Sequence, residues 1–188
     1  MSRNLYLKNP YQQSSIACPW SLKEAILIRI WEVVWTLFVR WLPKICSRWH
    51  IVLLKLFGCK IHGHSFISPT VRIYAPWLLE IGTGSSLGTR CEIYNLGPVI
   101  IGERVTIAQY SYICNGTHDL STRILPLMVG KVNIGNDVFI GAKAIILPGL
   151  RLGVASVIGA GSVLTKDTDD YGIYAGNPAR YIKKRVLK

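Results

Sequence analysis

The chain has 188 residues, half of them hydrophobic and 17% charged, with a mean hydropathy of +0.31. That composition excludes an intrinsically disordered chain and supplies apolar surface for one packed domain plus an appendage. Twenty-two Lys+Arg against ten Asp+Glu give a net charge of +12, which points to a polyanionic partner, an anionic membrane surface or a phosphorylated ligand.

In residues 1–60 there are nine cations and two acids. No continuous apolar run stands between Arg3 and Lys23 to form a secretory signal. The most apolar stretch, Ala25 to Leu42, is broken by Arg29, Glu32 and Arg40, whereas a spanning helix needs about 20 mostly apolar residues. Within it Leu27, Trp31, Val34, Phe38 and Trp41 alternate steps of four and three, the spacing of one helical face. Pro43 interrupts, and Ile45 to Phe57 reads as a second short helix ending at Gly58. Five of the six tryptophans lie in this preface among Arg and Lys. Two readings stay open: packing on the main domain or a sister subunit, or a peripheral membrane contact with Trp at the headgroup level. The five cysteines, Cys18, Cys46, Cys59, Cys91 and Cys114, are odd in number and form no C-x-x-C pair. They argue against a disulfide framework or zinc ribbon and fit a reducing compartment.

From residue 61 the sequence repeats every six residues. Hexads begin at Ile61, Ile67, Ile73, Ile81, Leu87, Ile93, Ile101, Ile107 and Ile113, and resume at Ile134, Ile140, Ile146, Leu152, Ile158 and Leu164. All fifteen starts are Ile or Leu, seven are followed by Gly, and the fifth position is small except at Trp77 and Leu150. A period of six fits neither an amphipathic helix nor a two-faced sheet. It predicts a solenoid in which each hexad makes one short strand and one corner, three hexads close a triangular coil, and Gly relieves the backbone at the turn. Two-residue additions at Leu79–Glu80 and Val99–Ile100 are expected at corners, and the array breaks between Ile113 and Ile134.

The [Ile/Leu/Val]-Gly-x-x-small-x repeat resembles the left-handed parallel β-helix of hexapeptide-repeat acyltransferases, most closely the maltose/galactoside and colanic-acid-type polysaccharide acetyltransferases. The hand comes from that resemblance, since crossovers are otherwise right-handed. The resemblance implies residues 1–60 as a helical extension of one or two α-helices, 61–170 as the mainly β solenoid with a catalytic loop at 114–133, and 171–188 as a basic tail. It implies acetyl-CoA as donor, no metal, a sugar or glycan acceptor, a homotrimer with the site between subunits, and a cytoplasmic location with possible contact at the inner membrane surface.

The Gly116-Thr117-His118-Asp119 run resembles the family's catalytic-histidine segment, so His118 is assigned as general base, a role that suits an imidazole near pH 7. Asp119 orients the ring, holds the acceptor hydroxyl, or is a solvated acid. By the same resemblance Phe139 walls the pantetheine, the Ala142 N–H faces the thioester oxygen, and Ala160 lines the pantetheine path. Thr165 and Lys166 approach the adenine and phosphates, and Arg180 and Lys183 the 3′-phosphate. Asn95 and Tyr94 are the acceptor-side candidates, against a corner-capping Asn and a packing Tyr. The fold also hosts zinc carbonic anhydrases, but His62 and His64 lie in the first coil and His118 is reckoned three coils on. With strands about 4.8 Å apart, these cannot share one tetrahedral site. No recognition helix or aromatic RNA motif accompanies the positive charge, so no nucleic acid is expected. The competing functions are acetylation of another small acceptor (serine, an antibiotic or an amino sugar) and a non-catalytic membrane-associated scaffold.

Overall fold

The computed structural model describes residues 5–8, 20–43 and 47–187; Cys18 and Cys46 lie outside them. After an opening strand β1 (Leu5–Leu7) and two helices, α1 (Leu22–Phe38) and α2 (Ser47–Leu56), the chain winds into a parallel β-solenoid.

Its first coil carries β2 (Lys60–Ile61), β3 (Phe66–Ile67) and β4 (Arg72–Ile73), and its second β5 (Leu79–Ile81), β6 (Ser86–Leu87) and β7 (Glu92–Tyr94). The third begins with β8 (Val99–Ile101), β9 (Thr106–Ile107) and β10 (Tyr112–Cys114), then departs into β11 (Gly116–His118) and β12 (Leu127–Gly130). Winding resumes with β13 (Val132–Ile134), β14 (Phe139–Ile140), β15 (Ile145–Ile146), β16 (Arg151–Leu152), β17 (Val157–Ile158) and β18 (Val163–Leu164), and the chain ends in β19 (Gly172–Gly176) and β20 (Ala179–Lys184).

The fifteen predicted hexad starts become three columns of five. Ile61, Ile81, Ile101, Ile134 and Leu152 are in register on one wall. Ile67, Leu87, Ile107, Ile140 and Ile158 stack on the second, and Ile73, Ile93, Ile113, Ile146 and Leu164 on the third. Each of the fifteen is buried, and removing such a side chain from water contributes about 1.5–3 kcal/mol.

The glycines after these aliphatics serve a different purpose from the one expected. The left-handed backbone falls two residues later, at Gly84, Arg90, Arg104, Asp137, Lys143, Ala155 and Gly161. What forbids a side chain at Gly82 is the next coil: a Cβ would lie 2.5 Å from the Gly102 carbonyl carbon, and one at Gly141 would lie 2.6 Å from the Ala160 nitrogen. Coil-to-coil approach, rather than turn geometry, selects glycine there.

The two-residue additions also do more than widen a corner. Leu79 and Val99 open their strands, face inward and pair in register with each other and with Val132, giving the first wall an extra buried layer.

Helix α1 starts at a capping box, in which Ser21 Oγ accepts from Glu24 N–H and the Glu24 carboxylate accepts from Ser21 N–H. Its buried face is Ile28, Trp31, Trp35 and, just past its end, Val39. The predicted face was therefore rotated: Trp31 is right and Val34 half-buried, but Leu27, Phe38 and Trp41 are exposed. The indoles decide the orientation. Trp31 Nε1 donates to the Ile73 carbonyl (2.7 Å) and Trp35 Nε1 to that of Val71 (2.9 Å), so the helix is fastened to the first coil. No helix among the described residues is long and apolar enough to cross a membrane.

The extension is not wholly helical, because β1 joins an antiparallel sheet in the order β1-β12-β11. Nor is the C-terminus a loose tail. β19 extends the second wall beside β17, β20 folds back antiparallel to β19, and Arg185 donates to the carbonyls of Asp137 (2.8 Å) and Ala155 (3.1 Å).

On the inner face of α2 the His50 ring is buried and Nδ1 lies 3.3 Å from the Ile67 carbonyl, while Nε2 has no partner among the described residues. Burial holds its pKa below the ordinary 6.5. The unfolded chain therefore takes up a proton first, and stability falls as pH drops below about 6.5. Denaturant titrations across pH 5–7 are expected to show that slope and, in His50→Leu, its reduction.

Candidate active site

The break in the hexads lies at the corner between the third and first walls of the third coil. There β11 and β12 pair antiparallel with His118 opposite Leu127 and Gly116 opposite Val129, a small sheet rather than a shapeless loop.

Asn115 anchors its base. The buried amide oxygen accepts from the N–H groups of Leu96 (2.7 Å) and Gly97 (3.2 Å), its nitrogen donates to the Pro98 carbonyl (3.3 Å), and its own carbonyl accepts from Gly130 N–H (2.8 Å). One residue thus joins the two ends of the excursion through its main chain and ties them to the coil below through its side chain.

His118 ends β11 with its ring exposed. Nδ1 lies 2.6 Å from the Leu125 carbonyl oxygen. A carbonyl only accepts, so Nδ1 carries the proton, and in the neutral ring Nε2 is left as a lone pair. Leu125 makes this contact from a left-handed backbone conformation (φ +45°), an unfavourable state for a leucine and of the kind held at functional sites.

The ring is therefore oriented by a main-chain oxygen and not by Asp119, which corrects the first of the three roles expected of that residue. Asp119 Oδ1 instead accepts from Ser121 N–H (2.9 Å) and Oγ (2.6 Å), and these bonds hold its carboxyl below the usual range. Nothing in the sequence marked Leu125, since any residue offers a carbonyl. Asn115 carried a faint signal as an asparagine just after a hexad start.

Asn95 is corrected as well. It is buried, its oxygen accepting from Ala75 N–H (3.0 Å) and its nitrogen donating to the Ala75 carbonyl (2.6 Å). It closes the corner one coil before Asn115 and presents no amide to an acceptor. Tyr94 is half-buried between Tyr74 (5.0 Å, edge-on) and Tyr112 (6.3 Å, stacked), and burial raises its pKa.

The donor-side candidates fall in two places. Ala142 and Ala160 occupy the same corner on successive coils, where Gly161 N–H donates to the Ala142 carbonyl (2.8 Å). Among the described residues the Ala142 N–H itself makes no hydrogen bond. Phe139 points outward from β14, 40% exposed, in register with Thr106 and Val157. Thr165 is half-buried and Lys166 exposed just past β18, while Arg180 and Lys183 are exposed on β20. Ala142 and Ala160 stand at the corner between the second and third walls, whereas His118 stands at the corner between the third and first.

His62 is paired with Glu80 (3.2 Å) and stands two coils from His118, not three. Cys59 and Cys91 are buried, and burial pushes their thiols up to about 12, so neither is a thiolate at neutral pH.

Known proteins are similar to this chain in sequence and in fold. The hexapeptide repeat of succinyl-transferase matches residues 131–166. The "Putative colanic acid biosynthesis acetyltransferase WcaF" of Escherichia coli (strain K12) is 33% identical over 162 residues, which are 86% of this chain and 89% of that protein. The chain belongs to the hexapeptide-repeat acetyltransferases. Two solved members of that group share its fold. The acetyltransferase VCA0836 of Vibrio cholerae O1 biovar eltor, complexed with acetyl coenzyme A, has a TM-score of 0.80 at 20% identity, covering 89% of this chain and 91% of its own. A maltose O-acetyltransferase from Clostridium difficile 630 has a TM-score of 0.79 at 23% identity, covering 89% and 90%.

The contrast between the two asparagines is testable. Asn95→Ala is expected to cost about 1–3 kcal/mol in denaturant unfolding, as it orphans the Ala75 backbone groups. Acceptor KM should stay unchanged in the fraction that remains folded.

Proposed function

We propose that this acetyltransferase moves the acetyl group of acetyl-CoA to a hydroxyl of a sugar or surface-glycan intermediate, with His118 as general base. The observation that carries the reading is the Nδ1–Leu125 contact, which in the neutral ring leaves Nε2 as the acceptor on an exposed side chain of a built excursion of the solenoid.

His118 Nε2 accepts the hydroxyl proton as the acceptor oxygen bonds to the acetyl carbonyl carbon. The carbon–sulfur bond then breaks, and the imidazolium returns the proton to the leaving sulfur. Base and acid are one group, and no covalent acyl-enzyme is required.

The Ala142 N–H, uncommitted within the chain, is our candidate donor to the oxygen that gains charge, an effect typically of a few kcal/mol. The small Ala142–Ala160 corner leaves room for a pantetheine chain, with Phe139 as its apolar wall. Thr165, Lys166, Arg180 and Lys183 supply hydroxyl and cationic partners for nucleotide phosphates. On the acceptor side Asp119, ionised beside the base, and the half-buried Tyr94 remain proposals.

Because Ala142 and His118 stand at different corners of the prism, the reading includes a homotrimer in which neighbouring protomers supply the two halves. The named relative and the maltose enzyme support a sugar acceptor.

The test is acetyl-CoA turnover against a panel of sugars, serine and amines, with CoA affinity measured alongside. We expect turnover on sugars, and in His118→Ala a fall of about 10²–10⁴-fold with CoA binding nearly intact. A His118→Ala enzyme keeping most of its rate removes the base, while turnover confined to amines or serine removes the glycan acceptor.

A further inference from the structure

Helix α1 is apolar on more than its buried side. Leu22, Ile26, Ile30, Val33, Leu37 and, just beyond the helix, Trp41 follow one another at steps of four or three, forming a single stripe. Every one is exposed, with Leu22 at 77%, Leu37 at 62% and Trp41 at 79%. The stripe turns away from the solenoid, which is already engaged by Ile28, Trp31 and Trp35.

The surroundings of the stripe are cationic. At 3.6 residues per turn the row Arg29, Glu32, Thr36 and Arg40 runs between the buried face and the stripe, and Lys23 flanks the other margin. On the solenoid side this row borders a groove of about 810 Å³, where Arg29 and Arg40 are joined by Arg72 and Arg90. The only two acids of residues 1–60 are already engaged, Glu24 by Ser21 and Lys8 (3.6 Å) and Glu32 by Arg29 (2.9 Å). Arg72 meets Glu92 only at 4.0 Å, with 73% of its side chain exposed.

We propose that the outer face of α1 docks on the surface of an anionic lipid bilayer. The helix lies in the plane of the membrane, the stripe enters the acyl boundary, Trp41 sits at headgroup depth, and the arginines of the groove meet lipid phosphates. Seventeen helical residues lie on a membrane here; they do not span it.

Charge selects this occupant over a second copy of the chain. The margin and groove gather Arg29, Arg40, Arg72 and Arg90, so this face meets repulsion from the same face of a second copy, whereas an anionic leaflet attracts it. The inference is independent of the acceptor and of His118.

Cosedimentation of the full chain with extruded vesicles tests it, using phosphatidylcholine alone and phosphatidylcholine mixed with phosphatidylglycerol. We expect binding to the mixed vesicles, weakened by salt, and little to phosphatidylcholine alone. The double substitution Ile30→Glu, Leu37→Glu alters exposed side chains only and should lower vesicle affinity by about tenfold or more, with the unfolding midpoint and the mass in solution unchanged. Unaltered vesicle binding by that variant overturns the proposal. So does equal binding to both vesicle types, or a variant whose mass in solution falls, which assigns the stripe to a protomer contact.

Discussion

The separation between successive coils governs this molecule. Parallel strands pair at about 4.8 Å, and every coil must repeat that spacing while keeping an aliphatic side chain pointed at a narrow interior. Three in-register columns of Ile and Leu satisfy the interior, and backbone hydrogen bonds such as Gly82 N–H to the Ile101 carbonyl (2.8 Å) satisfy the spacing. Glycine follows from the same constraint, because the backbones at Gly82 and Gly102 pass too closely for a methyl group. Small polar residues at the fifth position belong to it too. Ser85 Oγ donates to the Gly102 carbonyl (2.7 Å) and Ser111 Oγ to that of Gly141 (2.9 Å), so each buried hydroxyl is bonded to the adjoining coil.

So rigid a stack leaves little freedom for chemistry except at its corners. The excursion bearing His118 leaves and re-enters at one corner, and the winding beneath is undisturbed, since β13 takes its place beside β8 with Ile134 opposite Ile101. Asn115 seals both ends of the detour. The imidazole is therefore mounted on a support fixed by the solenoid, and the contact that sets its tautomer comes from the detour's own backbone at Leu125. The scaffold fixes position, while the insertion fixes the tautomer.

The periodic part of this design was open to reading from the residues, because a wall position is defined by side-chain type and recurs fifteen times. His118 stood out as a candidate base because it interrupts that rhythm in a segment resembling known relatives. Other features depend on information that a linear pattern lacks. The α1 face was misjudged because the helix is apolar nearly all round, so spacing alone could not distinguish Trp35, whose indole reaches the Val71 carbonyl, from the exposed Phe38. Asn95 stayed open between acceptor and corner because an amide on a solenoid looks the same in sequence whether it faces outward or closes a corner. Leu125 acts through its main chain and left no trace at all. β1 is only three residues long and pairs with a strand more than a hundred positions away, beyond the range of any local periodicity.

The ends of the solenoid show how it stops. At one end α2 and α1 cover the first coil, with Leu54, Trp31 and Trp35 joining the same buried core as Ile61 and Ile73. At the other, β20 reverses direction against β19, and Arg185 pins the returning strand to two carbonyls of earlier coils. An uncovered final coil would present a row of unsatisfied amides and carbonyls shaped to accept another parallel strand, an invitation to end-to-end polymerisation. On the second wall the reversed hairpin puts an antiparallel strand where a further rung would need a parallel one, so that edge offers an incoming coil the wrong polarity.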